Sequence, residues 1–472
     1  MHCGYVVKVE HIRKHENADK LQIATFFGND TVVDLSVNVG DIGVYFPVDL
    51  QLSEEYCEKN NLVRKKDENG NNVGGFLDPD KRNIKAIKLR GEKSDGLFMP
   101  LKSFAYCWDL DKKDVPEECD ITIPMGLGDQ ITILNGHEIC KKYIPNRQNK
   151  QGGYSNGNKV RKHKVPYAPL FMEHADTSQL AYNLGAFKYN DKIEITLKMH
   201  GTSQRTGYLP VLQPAKKTFW QKLFKKEPAP VYKYDYVTGT RRVVLENFDG
   251  EGGFYGSNEF RGQHHNAFVG KLNKGETVYY EVVGFTHTGA PIMSDGSNKG
   301  LGKEFIKQYG ETTRFSYGCT PTMLVLDDTD GRNQRAIGQS DIYVYRMTMT
   351  NEDGYVVEYT PDLMRYRCEQ MGVKTVPVFW EGIIPAEGHD YPSAGDWIKS
   401  KAEAYYDGPD PIGKTHVREG VVTRIVNRPG FVAYKHKNFS FKVIEGIAKD
   451  VATAPDMEES QEIVDTVEEN VE

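Results

Sequence analysis

The stretch Ile193-Glu-Ile-Thr-Leu-Lys198 alternates apolar and polar residues, the period-2 pattern of a strand buried on one face. Lys198 closes that strand on its polar face. Gly201 follows within three residues and permits close approach of the backbone to a ligand. A lysine so placed can be partly desolvated, lose its proton and attack an electrophile such as a nucleotide α-phosphorus. Lys-x-x-Gly also occurs at Lys93 and Lys150. The spacing alone therefore does not separate a nucleophile from a surface lysine beside a turn glycine.

Four downstream segments add to it. Tyr234-Asp-Tyr-Val-Thr-Gly-Thr-Arg-Arg242 places Arg241 and Arg242 just after a turn. Thr277-Val-Tyr-Tyr-Glu-Val-Val-Gly284 interrupts an apolar strand with Glu281, and His416-Val-Arg-Glu-Gly-Val-Val422 does the same with Glu419. Phe431-Val-Ala-Tyr-Lys-His-Lys437 sets Lys435 and Lys437 two apart, on one strand face. Singly these are a salt-bridged carboxylate, a solvated lysine face or a surface turn. Together, in this order, they are rarely accidental.

The elements that must position them read as α+β. Residues 1–105 carry short strand signals at 5–9, 21–27, 31–35, 43–46, 84–89 and 97–99, which suggests a small β-barrel or sandwich. Residues 106–165 are less regular and end in a basic, Gly/Asn-rich linker. From 166 to 449 strand signals dominate. The clearest helix is 361–371, with Pro361 in its first turn and Gly372 as cap, and a buried-type strand at 375–380 follows. Asp176 offers an N-cap before a short helix. Segments 214–234, with basic and aromatic residues interleaved, and 286–340 read as insertions. Residues 450–472 form an acidic tail expected to be disordered. The tail makes the formal charge −6 and hides a more basic body. No apolar run reaches membrane-spanning length. Seven scattered cysteines without metal-ligand spacing fit reduced thiols in an intracellular, cytoplasmic protein.

The order Lys198-Met-His-Gly201, Gly239-Thr-Arg241, Tyr280-Glu-Val-Val-Gly284, Glu419-Gly-Val-Val422 and Lys435-His-Lys437 resembles the covalent nucleotidyltransferases, the ATP-dependent nucleic-acid ligases and mRNA capping enzymes. His200 within the first motif is similar to nick-sealing RNA ligases, as are the segments 171–176 and 372–378. The chain after Lys437 is too short for a C-terminal barrel, and the β-rich region lies N-terminal. That arrangement resembles the RNA-ligase subgroup with an N-terminal OB domain, to which 41–47 and 88–100 are also similar. The third motif has Tyr280 where the family often has glycine, and Tyr345-Arg346 stands where it often has Phe-Asp.

The resemblance implies an OB-like β-barrel followed by an ATP-grasp-like adenylylation domain of antiparallel sheets with flanking helices. It implies ATP and Mg²⁺ or Mn²⁺ as cofactors, and RNA with 3′-OH and 5′-phosphate ends, in a nicked duplex, as partner. By the same resemblance Lys198 takes AMP, and Glu281 binds ribose hydroxyls. Glu419, with Glu281, holds the metal through water. Tyr345 stacks on adenine, with Tyr343 its rival. Arg241 grips phosphate, Gly201 borders the nucleotide, and Lys435 and Lys437 stabilise phosphate charge. His200 assists the steps after Lys198 is charged. A DNA ligase, another covalent nucleotidyltransferase, or a catalytically silent RNA-binding homologue are the competing readings.

Overall fold

A computed structural model describes residues 2–48, 50–65, 75–89, 92–109, 125–143, 166–175, 177–214, 228–248, 255, 257–326 and 334–445. The linker at 146–164, Asp176, most of the 214–234 insertion and the acidic tail lie outside the described residues. The chain divides into two compact units, Met1–Gln148 with Lys442–Asp456, and Asn149–Phe441 with Met457–Glu472.

In the first unit the Gly4–Lys8 strand pairs antiparallel with Ile42–Phe46, which pairs with Leu97–Pro100. A second sheet joins Ile12–Lys14, Leu21–Phe26 and Asn29–Asp34. These sheets are open, and no ring of strands closes among the described residues. Within the stretch expected to be irregular, Gln130–Ile131 pairs with the first strand and Cys140–Lys142 with Leu50–Leu52. Val6, Val44, Phe46, Tyr56, Phe104 and Ile131 fill the core. Each such side chain contributes about 1.5–3 kcal/mol on burial.

The second unit is built on two sheets. The five-stranded sheet runs in the order Ser178–Gln179, Val432–Lys437, Gly420–Ile425, Lys192–Lys198, Val378–Ile383. Its apolar face, including Ile193, Ile195, Val421 and Ile425, packs with Ile398 and Ala402 of the helix Ala394–Glu403. The larger sheet runs Val244–Leu245, Tyr232–Gly239, Thr202–Leu212, Glu276–Gly284, Ser340–Thr350, Val356–Glu358, with Lys374–Thr375 also paired to Ser340–Thr350. Antiparallel pairing predominates, so the unit is α+β and sheet-rich.

The helix Pro361–Met371 forms where its caps require. The Thr360 hydroxyl accepts from the Leu363 N–H, and Gly372 ends the helix at φ 70°. Two expectations need correction. The Lys198 strand is buried on both faces rather than one: Glu194 and Thr196 on its polar side are buried as well. Glu194 tolerates this because Arg365 pairs with it at 2.5 Å. The expected buried strand at 375–380 is two strands. Pro377 removes a ladder N–H. Lys374–Thr375 joins one sheet and Val378–Ile383 the other. Val378–Ile383 has no fully buried residue and lies at the edge of its sheet.

Candidate active site

Lys198 ends its strand directly opposite Gly420, and Gly420 lies directly opposite Lys437 in the next strand. Directly opposed residues share a face. The two lysines therefore flank a position that has no side chain. Glu419 fills the space. Its Oε1 lies 2.7 Å from Lys198 Nζ and 3.2 Å from Lys437 Nζ. Its Oε2 lies 3.7 Å from His200 Nδ1. All four side chains are nearly sealed from solvent, Glu419 to 1% exposure. Burial opposes ionisation of Glu419. The charges of Lys198 and Lys437, with His200, overcome it and hold the carboxyl well below the usual range.

Gly420 is required by the backbone. It sits at φ 150°, and an added Cβ would fall 2.0 Å from the His436 carbonyl oxygen. Gly201 has a comparable reason. A Cβ there would lie 2.4 Å from Val282 O and 2.9 Å from Glu281 Cγ. The glycine admits the chain's own Glu276–Gly284 strand, and with it Glu281, close against residue 201.

Met199-His200-Gly201 is the crossing between the two sheets. The His200 ring is held edge-on by Phe315 (4.6 Å between centroids) and Phe441 (4.8 Å). Its backbone N–H donates to Tyr317 Oη at 2.7 Å. On the larger sheet Ser203, Glu281 and Tyr343 stand in one row. Tyr345 Oη meets Ser203 Oγ at 2.9 Å, so Tyr345 stands on the face that carries Glu281. The register slips between Tyr279 and Tyr280, leaving Tyr345 as the extra residue of a bulge. Tyr343 is otherwise engaged: its hydroxyl donates to Asp341 at 3.3 Å and Lys374 lies over its ring.

Lys435 stands two residues before Lys437, on the same strand face and opposite Val422. Arg241 is half-buried in the turn after Gly239. Lys198, His200, Glu419 and Lys437 are thus in direct contact. Glu281 and Tyr345 share a face of the neighbouring sheet, and Arg241 lies in the turn that follows the Tyr232–Gly239 strand.

Three further residues gained no role from the sequence. Arg205 is buried and donates to the carbonyls of Thr240 (3.1 Å), Phe171 (3.0 Å) and Arg242 (3.4 Å), which pins the turn carrying Arg241. His174 accepts from Arg346 through Nδ1 at 3.2 Å and meets the Tyr345 ring edge-on at 5.1 Å. Desolvation, then the charges of Arg346, Arg241 and Arg205, push its pKa well below the usual imidazole range. It is therefore a neutral acceptor among arginines. Tyr317 lies in a segment that sequence patterning left without assignment. Arg205 carried one signal, a charged residue inside an otherwise uncharged strand run. His174 lay inside the segment 171–176, similar to RNA ligases, but its own role was not read from it, and Tyr317 carried no signal.

No family model matches this chain, and neither does any curated protein sequence. Solved structures do. A lysine-to-methionine mutant of the Naegleria gruberi RNA ligase with AMP and Mn aligns over 94% of this chain and 98% of that chain, at 16% identity and a TM-score of 0.53. This is the fold of an RNA ligase. A glutamate-to-alanine mutant of the same Naegleria ligase with AMP and Mn gives 94%, 98%, 16% and 0.52. A lysine-to-alanine mutant with ATP and Mn gives 93%, 98%, 15% and 0.52. The RNA-ligase fold thus extends over both compact units.

Proposed function

We propose that this chain is an ATP-dependent RNA ligase that joins 3′-OH and 5′-phosphate ends at nicks in duplexes. Lys198 attacks the α-phosphorus of ATP, forming a lysyl–AMP P–N bond and releasing pyrophosphate. AMP passes to the 5′-phosphate of the broken strand. The 3′-hydroxyl then attacks that phosphate and expels AMP. The observation that carries the reading is the sharing of one Glu419 oxygen by Lys198 and Lys437, in a chain whose length follows the fold of a ligase solved with ATP and with AMP.

The sharing bears on the proton. Free lysine has a pKa of about 10.4, and an adjacent carboxylate favours its charged form. Here the carboxylate has two ammonium partners, and like charges held side by side repel. A proton lost from Lys198 relieves that repulsion while Glu419 keeps Lys437. Either amine can thus lose its proton without leaving the anion unpaired, and Lys198 is the one that ends its strand in the Lys-x-x-Gly motif.

Glu419 and Glu281 offer the hard oxygen donors that Mg²⁺ and Mn²⁺ take. With Oε1 of Glu419 engaged by two ammonium groups, contact through water suits the ion better than a closed cage. Bound there, it would supply positive charge against the phosphate oxygens. Lys435 and Lys437 supply the same sign of charge from the protein. Glu281 holds the ribose hydroxyls, Tyr345 the adenine and Arg241 the 5′-phosphate or AMP phosphate. His200 assists the two later transfers, and Gly201 shapes the wall beside the nucleotide. The N-terminal unit is an OB-like module that grips the nucleic acid, joined by a basic linker to the adenylylating domain.

The test has two stages. Incubation with ATP labelled on the α-phosphate labels the wild-type protein covalently and leaves Lys198→Ala unlabelled. An unlabelled wild-type protein rules out the enzyme. Sealing is then compared on an all-DNA nick and on one ending in a 3′-ribonucleotide. Equal rates would make it a DNA ligase.

A further inference from the structure

His200 lies where the chain leaves one sheet for the other, and its backbone N–H is not used by either ladder. A side-chain hydroxyl 117 residues away, that of Tyr317, accepts it at 2.7 Å. Tyr317 is buried, yet its backbone sits at φ 48°. A bulky side chain in the left-handed region is a true outlier, with a cost of about 1–3 kcal/mol that the surroundings must hold in place.

The surroundings do so. Gly413 packs so closely that an added Cβ would lie 3.2 Å from Tyr317 Cα and 3.0 Å from Gly318 N. The His416 ring meets the Tyr317 ring edge-on at 4.7 Å. The Ser316 carbonyl accepts from the Cys319 N–H at 2.8 Å, closing the turn. Two residues before Tyr317, Phe315 sets its ring against the imidazole of His200, 4.6 Å away and at 73°. The same short turn therefore grips His200 twice, by the main chain and by the ring. An ordinary core tyrosine needs neither the left-handed backbone nor a main-chain donor in another element.

We propose that Tyr317 is a positioning residue for His200, and that the 314–319 turn holds this histidine against Glu419 for the transfers that follow charging of Lys198. The inference rests on the ligase reading. The phenol suits the task because it stays neutral. Burial, with Asp410, Glu419 and Glu281 nearby, keeps its pKa well above the usual tyrosine value. It can therefore accept the His200 N–H and keep its own proton.

Tyr317→Phe retains the ring and removes the acceptor. Single-turnover sealing of a nicked duplex by preformed enzyme–AMP is expected to slow roughly 10–100-fold, the scale of a small misplacement of a reacting group. Self-adenylylation should fall much less. In a His200→Ala background the same substitution should cost nothing further, because its effect runs through the imidazole. Wild-type sealing by Tyr317→Phe, equal losses in both reactions, or additive losses in the double variant would each overturn the proposal. If wild-type protein labels and seals while Tyr317→Phe matches it, only this inference fails. If wild-type protein takes no label, the ligase reading falls first and the inference with it.

Discussion

Lys198, Glu419 and Lys437 form a buried triple with one more positive group than negative. Glu419→Gln would leave two buried ammonium groups without their anion. Breaking such an arrangement costs roughly 3–5 kcal/mol, and denaturant unfolding should read a loss of that order. The same substitution tests a sign. The folded-state pKa of Glu419 is depressed, so its stabilisation is present above the unfolded value of about 4.3 and is lost as pH falls through the folded value. Stability of Glu419→Gln should therefore vary less with pH below about 4.3 than that of wild type. Gly420→Ala makes a second residue-scale prediction. With a methyl group 2.0 Å from the His436 carbonyl and a φ of 150°, the strand must shift. We expect a loss of at least about 1–3 kcal/mol and loss of the Glu419 contacts, read by unfolding and by α-phosphate labelling.

At the scale of elements, the site depends on how strand ends and turns are tied. The turn bearing Arg241 is secured by Arg205 from the adjacent strand, through carbonyls at Thr240 and Arg242. Hydrogen bonds from a charged donor contribute about 1.5–3 kcal/mol each, so Arg205→Ala should destabilise by on the order of 3 kcal/mol. It should also raise the ATP concentration needed for half-maximal labelling. Unchanged labelling in a destabilised protein would show that the turn needs no such tie. The Pro361–Met371 helix was legible because its cap, first-turn proline and terminal glycine are local signals. The break at Pro377 was a local signal too. Its consequence, a chain that passes from one sheet to the other, was not, since strand partners are chosen by distant residues. The bulge at Tyr345 belongs to the same class: a slip in register involves two strands and leaves no mark on either alone.

Across the molecule, several histidines are held neutral by burial. His264 is pushed down to about 4, and His174 and His416 are also lowered, desolvation leading in each. A histidine with a depressed folded pKa binds fewer protons folded than unfolded. Its stabilisation is complete above the unfolded value of about 6.5 and declines as pH falls toward the folded value. Urea unfolding should therefore show stability dropping between about pH 6.5 and 4, before the carboxylates contribute. His264, whose Nε2 meets Ser340 Oγ at 2.8 Å, should account for on the order of 3 kcal/mol of that drop. Flat stability across this window would show that these imidazoles titrate normally.

Residue order along the chain carried the reactive inventory. A strand-end lysine, two carboxylates inside apolar runs and a lysine pair are visible because alternation and interruption are properties of neighbouring residues. Which of them touch was decided by the tertiary structure. Lys198, Glu419 and Lys437 meet through cross-strand register over more than two hundred residues of chain. The glycines at 201 and 420 are needed for the close approach of other backbone, which sequence spacing does not record. Arg205, His174 and Tyr317 acquired their places only on folding, because a buried polar atom takes whichever partner the packing brings within hydrogen-bond reach.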